Sequence, residues 1–265
     1  MFHRLVRAAL PLVALLVLVA CGGGGELPTY SYHGRVADGQ SLRLRNLRGS
    51  ITVEPSRDGQ LAIEAHGVTT SRRFEEVHFQ TVDASDGMTV CALWGSTTCE
   101  SGQLQVTGGS TFWSKLSGKG AVRVEWAVQL PAGVKLDVRD VDGAVIVKGA
   151  TSDVLVHTVN GSIDATTAGG AVELKAINGD VTATLTGAPT RLTIKTVNGS
   201  ATATLPKDLS ATVALGSVRG AIGSDFAITT SGSVSKRKLE GTIGNGGIPI
   251  EVKTVNGSVG VRKGA

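Results

Sequence analysis

The feature that most constrains how this chain folds is a turn that keeps returning. "TVNGSI" (Thr158 to Ile163) is followed by "AINGDV" at Ala176, "TVNGSA" at Thr196, "SVRGAI" at Ser217 and "TVNGSV" at Thr254. Aligning the turns puts Gly143, Gly161, Gly179, Gly199 and Gly220 in register, with steps of 18, 18, 20 and 21 residues. A fixed period near twenty is the signature of a repeat architecture. Weaker copies stand at "LEGTIG" around Gly241 and "NLRGSI" around Gly49.

Each repeat has the same inner grammar. Val172, Leu174 and Ala176 alternate with polar residues, Ile177 comes one place out of phase, and a new parity runs through Val181, Ala183 and Leu185. Alternation marks a half-buried strand, and a slip repeated at Val159 and Val197 marks a corner. Asn-Gly between alternating runs is also a strong hairpin signal, so an antiparallel β-meander or sandwich is the alternative. The apolar residue before each Asn favours an all-β, parallel β-solenoid: a single-stranded, right-handed β-helix with coils of about 18–21 residues. At ~3.3 Å per strand residue such a coil has a contour of roughly 60 Å, enough for two or three sides. Val159 is then expected to turn into the core. Asn160, Asn178, Asn198 and Asn256 are expected to stack as rungs, with Gly161, Gly179, Gly199 and Gly257 taking the turn conformation. Small residues such as Ala165, Ala183, Ala201 and Ala203 suit a narrow interior.

The N-terminus reads as an export signal. Arg4 and Arg7 precede the 13-residue apolar run Ala8 to Ala20, shorter than the ~20 residues of a permanent span. "LVAC" then resembles a bacterial lipobox, which implies residues 1–20 as signal peptide, Cys21 as the lipidated first mature residue, and 21–28 as a Gly-rich tether. Gly22 after that cysteine, rather than Asp, implies an outer-membrane or periplasm-facing location if the cell is Gram-negative. Removing residues 1–20 takes away two arginines, so the formal charge of +4 falls to +2, which is no nucleic-acid signature. The basic run "SKRK" from Ser235 reads as a solvated loop. The expected partners are the membrane through the lipid anchor, and an envelope polysaccharide or surface protein.

Residues 29–265 form the expected solenoid domain, interrupted by an irregular insertion at about 84–120. Cys91 and Cys99 frame "CALWGSTTC", and in an exported chain so close a pair reads as a disulfide. Trp94, Phe112, Trp113 and Trp126 gather in or beside the insertion. They are either a binding patch, stacking on carbohydrate, or a plug for an open end of the core.

No constellation names a reaction. "GNGG" at Gly244 precedes a strand pattern rather than the helix a dinucleotide fingerprint needs. Asp137, Asp140 and Asp142 lack the dense Gly-Asp repeats of calcium-binding β-rolls. His33, His66, His78 and His157 are scattered, so the paired acids and bases of a polysaccharide lyase or hydrolase are not evident. The expectation is a non-enzymatic protein with no catalytic residues, metal or cofactor, a glycan-active enzyme being the remaining alternative.

The stretch from "LPKDLSATVALGSVRGAIGSDF" to the closing "KTVNGSV", with the turns upstream of it, resembles the bacterial putative-adhesin family of β-strand-repeat proteins, a domain of unknown function. The match runs from about Gly120 to the C-terminus, its more specific elements being "SDF" at Ser224 and "GTIGNGG" at Gly241. The resemblance implies a β-helical, envelope-associated domain for adhesion, surface interaction or scaffolding. It brings no active-site residues.

Overall fold

The computed structural model describes residues 27–70, 76–100, 102–105, 121–230 and 235–264. The strands are, in chain order, β1 (Thr29–Gly34), β2 (Ser41–Arg45), β3 (Ile51–Pro55), β4 (Leu61–Val68), β5 (Val77–Ala84), β6 (Gly87–Trp94), β7 (Thr98–Glu100), β8 (Gln103–Gln105), β9 (Arg123–Leu130), β10 (Lys135–Arg139), β11 (Val145–Ala150) and β12 (Val154–Asn160). There follow β13 (Ile163–Thr167), β14 (Ala171–Asn178), β15 (Val181–Leu185), β16 (Arg191–Asn198), β17 (Ala201–Leu205), β18 (Ala211–Arg219), β19 (Ile222–Ser224), β20 (Thr229–Thr230), β21 (Lys238–Ile243), β22 (Ile248–Asn256) and β23 (Val259–Lys263).

The chain is all-β among the described residues, with two large mixed sheets. Sheet I runs β1-β4-β9-β3-β11-β13-β15-β17-β23-β19, and sheet II runs β20-β21-β18-β22-β16-β14-β12-β10-β2-β6-β5. From β10 to β17 the chain alternates between the sheets, and each strand pairs in parallel with the one two places on. Asn160-Gly161 therefore carries the chain from one sheet to the other and closes no hairpin. Equivalent residues stack, as in Val154↔Val172↔Leu192 and Ile163↔Val181. One continuous core lies between the inward faces, where sheet II brings Leu174 and Ile194 and sheet I brings Ala165, Ala183 and Ala203. Leu, Ile, Val and Ala side chains from both sheets fill a layer of about 10 Å.

The repeats do not stack in sequence order. β22 lies between β16 and β18, and β23 between β17 and β19, so the last "TVNG" turn follows Gly199 in space and Gly220 lies outside it. β21, which holds Gly241, is antiparallel to β18 and no part of the glycine column. At the other end β2 and β3 pair in parallel with β10 and β11, so the repeat at Gly49 stacks directly under Gly143 although residues 56–134 intervene. That excursion is built into the sheets. β6 is wholly buried and extends sheet II, while β4 and β9 extend sheet I, so the interruption expected at 84–120 begins earlier and residues 87–94 belong to the core.

The reading of Val159 as a residue dropped into the core is corrected. Alternation continues unbroken to the Asn, so Thr158, Ala176, Thr196, Ser217 and Thr254 point inward, and Ile177, Val197, Val218 and Val255 point to solvent. The phase slip falls in the Asn-Gly-Ser/Asp turn itself. At this margin the inward place takes a small side chain, Ala176 and Thr158 among them, and three of the hydroxyls there also donate to a turn carbonyl. The hydroxyl of Thr196 donates to the Gly179 carbonyl at 2.9 Å, Thr254 to Gly199 at 2.8 Å and Ser217 to Gly257 at 2.8 Å. A valine there would leave those carbonyls without that bond.

The turn glycines are required by close approach. A Cβ on Gly179, at φ +154°, would stand 2.1 Å from the Gly161 carbonyl oxygen. The same collision recurs at Gly161, Gly199 and Gly257.

The tryptophan reading is also decided where the side chains are described. Trp94 is 0% exposed and donates its indole N–H to the Val122 carbonyl at 3.1 Å, and Trp126 is 3% exposed, edge-on to Phe79 at 5.6 Å. Both close the N-terminal end of the core and neither offers a face to a sugar. They are buried because β6 and β9 continue the two sheets and their inward positions face an end that needs bulk. Phe112, Trp113, Cys21 and the signal segment 1–20 lie outside the described residues. At the opposite end Phe226 covers the core, with the Lys263 ammonium 5.3 Å from its ring centroid. The terminal strands β19 and β20 are short, which limits edge-to-edge pairing.

Candidate interaction surface

The outer face of sheet II carries parallel rows that follow from the register. One is basic: Arg45, Arg139, His157, Lys175, Lys195 and Lys253 stack on successive strands. Two residues away in each strand, Asp137, Glu173 and Glu251 form an acidic row with gaps. Two residues the other way lies the aliphatic row Val159, Ile177, Val197, Val255 and Val218. Ile177 is 46% exposed, Val197 and Val255 39% and Val218 51%, and these four neighbours make up most of the large hydrophobics exposed among the described residues. Contiguity of that kind is informative where single exposed apolar residues are not.

Beyond the aliphatic row the asparagines form the margin. Asn178 Nδ2 donates to Asn160 Oδ1 at 2.8 Å, Asn198 to Asn178 at 2.8 Å and Asn256 to Asn198 at 2.7 Å. Each amide both donates and accepts, so the row is held in one orientation along the stack. Arg219 takes the next place, beside Asn256. The asparagine spacing thus follows the spatial order of the repeats, in which β22 precedes β18, and "SVRG" is the outermost member. That was the available sequence signal for the inserted C-terminal strand pair.

The lysines turn toward the carboxylates. Lys175 and His157 (2.9 Å) share Glu173, Lys195 (2.8 Å) and Lys253 share Glu251, and Arg45 (2.8 Å) and Arg139 (3.7 Å) share Asp137. The Lys175 hydrogen bond, with that from His157, holds the Glu173 carboxyl below its usual range. Burial pushes Glu251 up, but its two lysine bonds outweigh this and leave it lowered. Two basic groups per carboxylate leave the face with an excess of positive charge. Between the aliphatic row and the lysine stems runs an open groove of about 490 Å³, lined by residues including Val159, Ile177, Val197, Lys175 and Lys195.

At the head of these rows the chain covers itself. The β7–β8 hairpin, tied by the Cys91–Cys99 disulfide, lies over β2 and β10. Arg45 Nε donates to the Gly102 carbonyl at 3.1 Å and Arg139 to Gln103 Oε1 at 3.0 Å. Leu104 lines a small groove with Leu47 and Val141, which stand two residues beyond Arg45 and Arg139, just past the ends of β2 and β10. Leu47 is 2% exposed and belongs to the main core, with Leu104 packed against that core, whereas Ile177 is 46% exposed.

Asp140, beside Arg139, points inward at the margin and is 4% exposed. Asn46 Nδ2 donates to its Oδ1 at 3.0 Å, while Oδ2 has no partner. Burial pushes its carboxyl up to about 7, against the opposing pull of the Val141 amide and Asn46. Asp142 instead pairs with Arg48 at 3.3 Å. The outer face of sheet I carries Thr166, Thr184 and Thr204 in one row and Thr182 and Thr202 in another, beside a groove of about 500 Å³ over Gly260 and Gly223. Among the described residues no three His, Cys, Asp or Glu side chains gather as metal ligands would.

Two mixed sheets joined by stacked glycine turns are thus in place, and a family model, Toastrack DUF4097, matches residues 49–262. The chain belongs to the Toastrack DUF4097 family. Its fold is similar to a crystal structure of a putative cell adhesion protein from Clostridium sporogenes at 9% identity, covering 89% of this chain and 100% of that one, with a TM-score of 0.41. A putative adhesin from Bacteroides fragilis is similar at 13% identity, covering 89% of this chain and 96% of that one, with a TM-score of 0.37. Comparison with curated proteins finds no match. The family match begins in the turn at Gly49, so it includes the excursion that sequence reading set apart.

Proposed function

We propose that this Toastrack chain is a non-enzymatic cell-envelope lipoprotein that presents a rigid, right-handed β-solenoid for surface interaction, through the outer face of sheet II. The observation that carries the reading is the run of exposed aliphatic residues Ile177, Val197, Val255 and Val218 beside a basic row. A soluble β-sheet ordinarily covers or charges such positions, and a contiguous apolar strip on a stiff face is the physical form of a docking site. Adhesion or scaffolding needs no more than that, and stacked repeats allow several equivalent contacts at once.

The anchoring end of the proposal rests on the lipobox-like "LVAC" and the glycine tether, which would hold the sheet face clear of the bilayer. Nucleic acid has no part in it. The test uses cells displaying the full chain. Ile177→Lys with Val197→Lys should abolish attachment to other cells or envelope material while leaving the protein folded and displayed. Unchanged attachment would refute the role of this face. Cys21→Ser should move the chain from the membrane to the soluble fraction, and unaltered partitioning would refute the anchor.

A further inference from the structure

The chain's own hairpin shows what the two rows of sheet II accept. Over the first strands, the turn residue Gly102 and the strand residue Gln103 supply oxygen acceptors to the basic row, and the next strand residue, Leu104, supplies an aliphatic neighbour to the other row. The Gly102 carbonyl receives Arg45 Nε, the Gln103 side-chain oxygen receives Arg139, and Leu104 lies with Leu47 and Val141. Further along, the same pairing of basic and aliphatic residue recurs as His157/Val159, Lys175/Ile177, Lys195/Val197 and Lys253/Val255. No described segment covers the aliphatic members of these later rungs, and the groove beside them is continuous over three strands. Resting on the reading of this face as the interaction surface, we propose that the rungs from Val159 to Val255 bind an extended segment of a partner protein, in which aliphatic side chains alternate with acidic or amide side chains.

The chemistry favours that occupant on two counts. The aliphatic strip is one residue wide and bordered by lysine stems, so it suits a narrow, linear occupant. Each carboxylate of the face is already shared by two bases, so oxygen acceptors from outside meet surplus donors rather than competing with a fully paired network. Carbonyl and side-chain oxygens already fill that role at Arg45 and Arg139.

The test pans the immobilised full chain against displayed random short peptides and prepares the enriched sequences synthetically. Enriched peptides should combine aliphatic with Asp, Glu, Gln or Asn residues. Their affinity should fall at least about tenfold for Ile177→Lys with Val197→Lys, the loss expected when a central apolar contact is replaced by charge. Lys195→Gln with Lys253→Gln should weaken them several-fold, with a shallower salt dependence. Matching unfolding midpoints of the variants and the parent exclude misfolding as the cause. Peptides lacking that pattern, or binding the variants equally well, would overturn the proposal. So would vesicles of anionic phospholipid that sediment the parent but not the Lys variant while no peptide is enriched, since that assigns the strip to lipid. If cell attachment still depends on Ile177 and Val197 while no peptide binds, the occupant is wrong and the interaction face stands. If neither depends on them, both fail.

Discussion

Asp140→Asn isolates the cost of a buried carboxylate. The side chain is 4% exposed and its carboxyl is raised from 3.8 to about 7, burial being the largest cause. Because the folded state holds the proton more tightly than the unfolded chain, stability is unaffected below about pH 4. It is lost progressively between pH 4 and 7, and the full penalty stands above pH 7. A rise of about three pKa units corresponds to a ceiling of ~4 kcal/mol at ~1.36 kcal/mol per unit. Asn keeps the shape and the acceptor for Asn46 but cannot ionise. The variant should match the parent near pH 4 and exceed it by about 2–4 kcal/mol at pH 8, with the gain developing across pH 4–7. Urea unfolding at a series of pH values measures this as a shift in midpoint at constant slope. Comparison with the parent at each pH cancels the opposite trend of Glu173 and Glu251, whose lowered pKa values make their contribution disappear as pH falls. A pH-independent difference, or an Asn variant less stable at pH 8, would refute the assignment of Asp140 as a buried, unpaid charge.

Two other predictions concern the stack. Asn178→Asp removes the bond donated to Asn160 Oδ1 while keeping the one accepted from Asn198, and should lower stability by about 1–2 kcal/mol at pH 7 in a thermal or urea melt. An unchanged midpoint would mean that the asparagine row contributes nothing net. Gly179→Ala forces a Cβ to 2.1 Å from a backbone carbonyl oxygen and should cost more than about 3 kcal/mol or prevent folding, whereas Gly223→Ala, with nothing within 4 Å, should stay within about 0.5 kcal/mol. Equal behaviour of the two glycine variants in the same melt would contradict the close-approach argument.

Much of the surface was legible in advance, with one inversion. The spacing of Asn160, Asn178 and Asn198 and the alternation through Val172, Leu174 and Ala176 point to stacked strands because both depend only on local period. The same parity, followed without interruption, puts Thr158 inside and Val159 outside. The opposite expectation came from treating an apolar residue as necessarily buried, whereas the inward place at the margin goes to a small side chain, with or without a hydroxyl. Trp94 and Trp126 were ambiguous for a related reason, since aromatic residues in an irregular segment look alike whether they bind a ligand or close a core. The cover over Arg45 could not be read at all, because Arg45 and the Gly102 carbonyl meet only through the return of a distant hairpin.

What the sequence by itself determined is the unit: two short strands, a glycine at the turn between them, and alternation that assigns each strand an inner and an outer face. These are properties of a dozen neighbouring residues. The order of the units was decided by the tertiary structure, which placed β22 and β23 between neighbours that precede them in sequence and brought Gly49 against Gly143 across a long excursion. Such contacts join residues far apart in the chain, and their selection depends on which edges are open when the strands pack. The surface inherits that decision, because Val255 stands between Val197 and Val218 only when the repeats stack in spatial rather than sequence order.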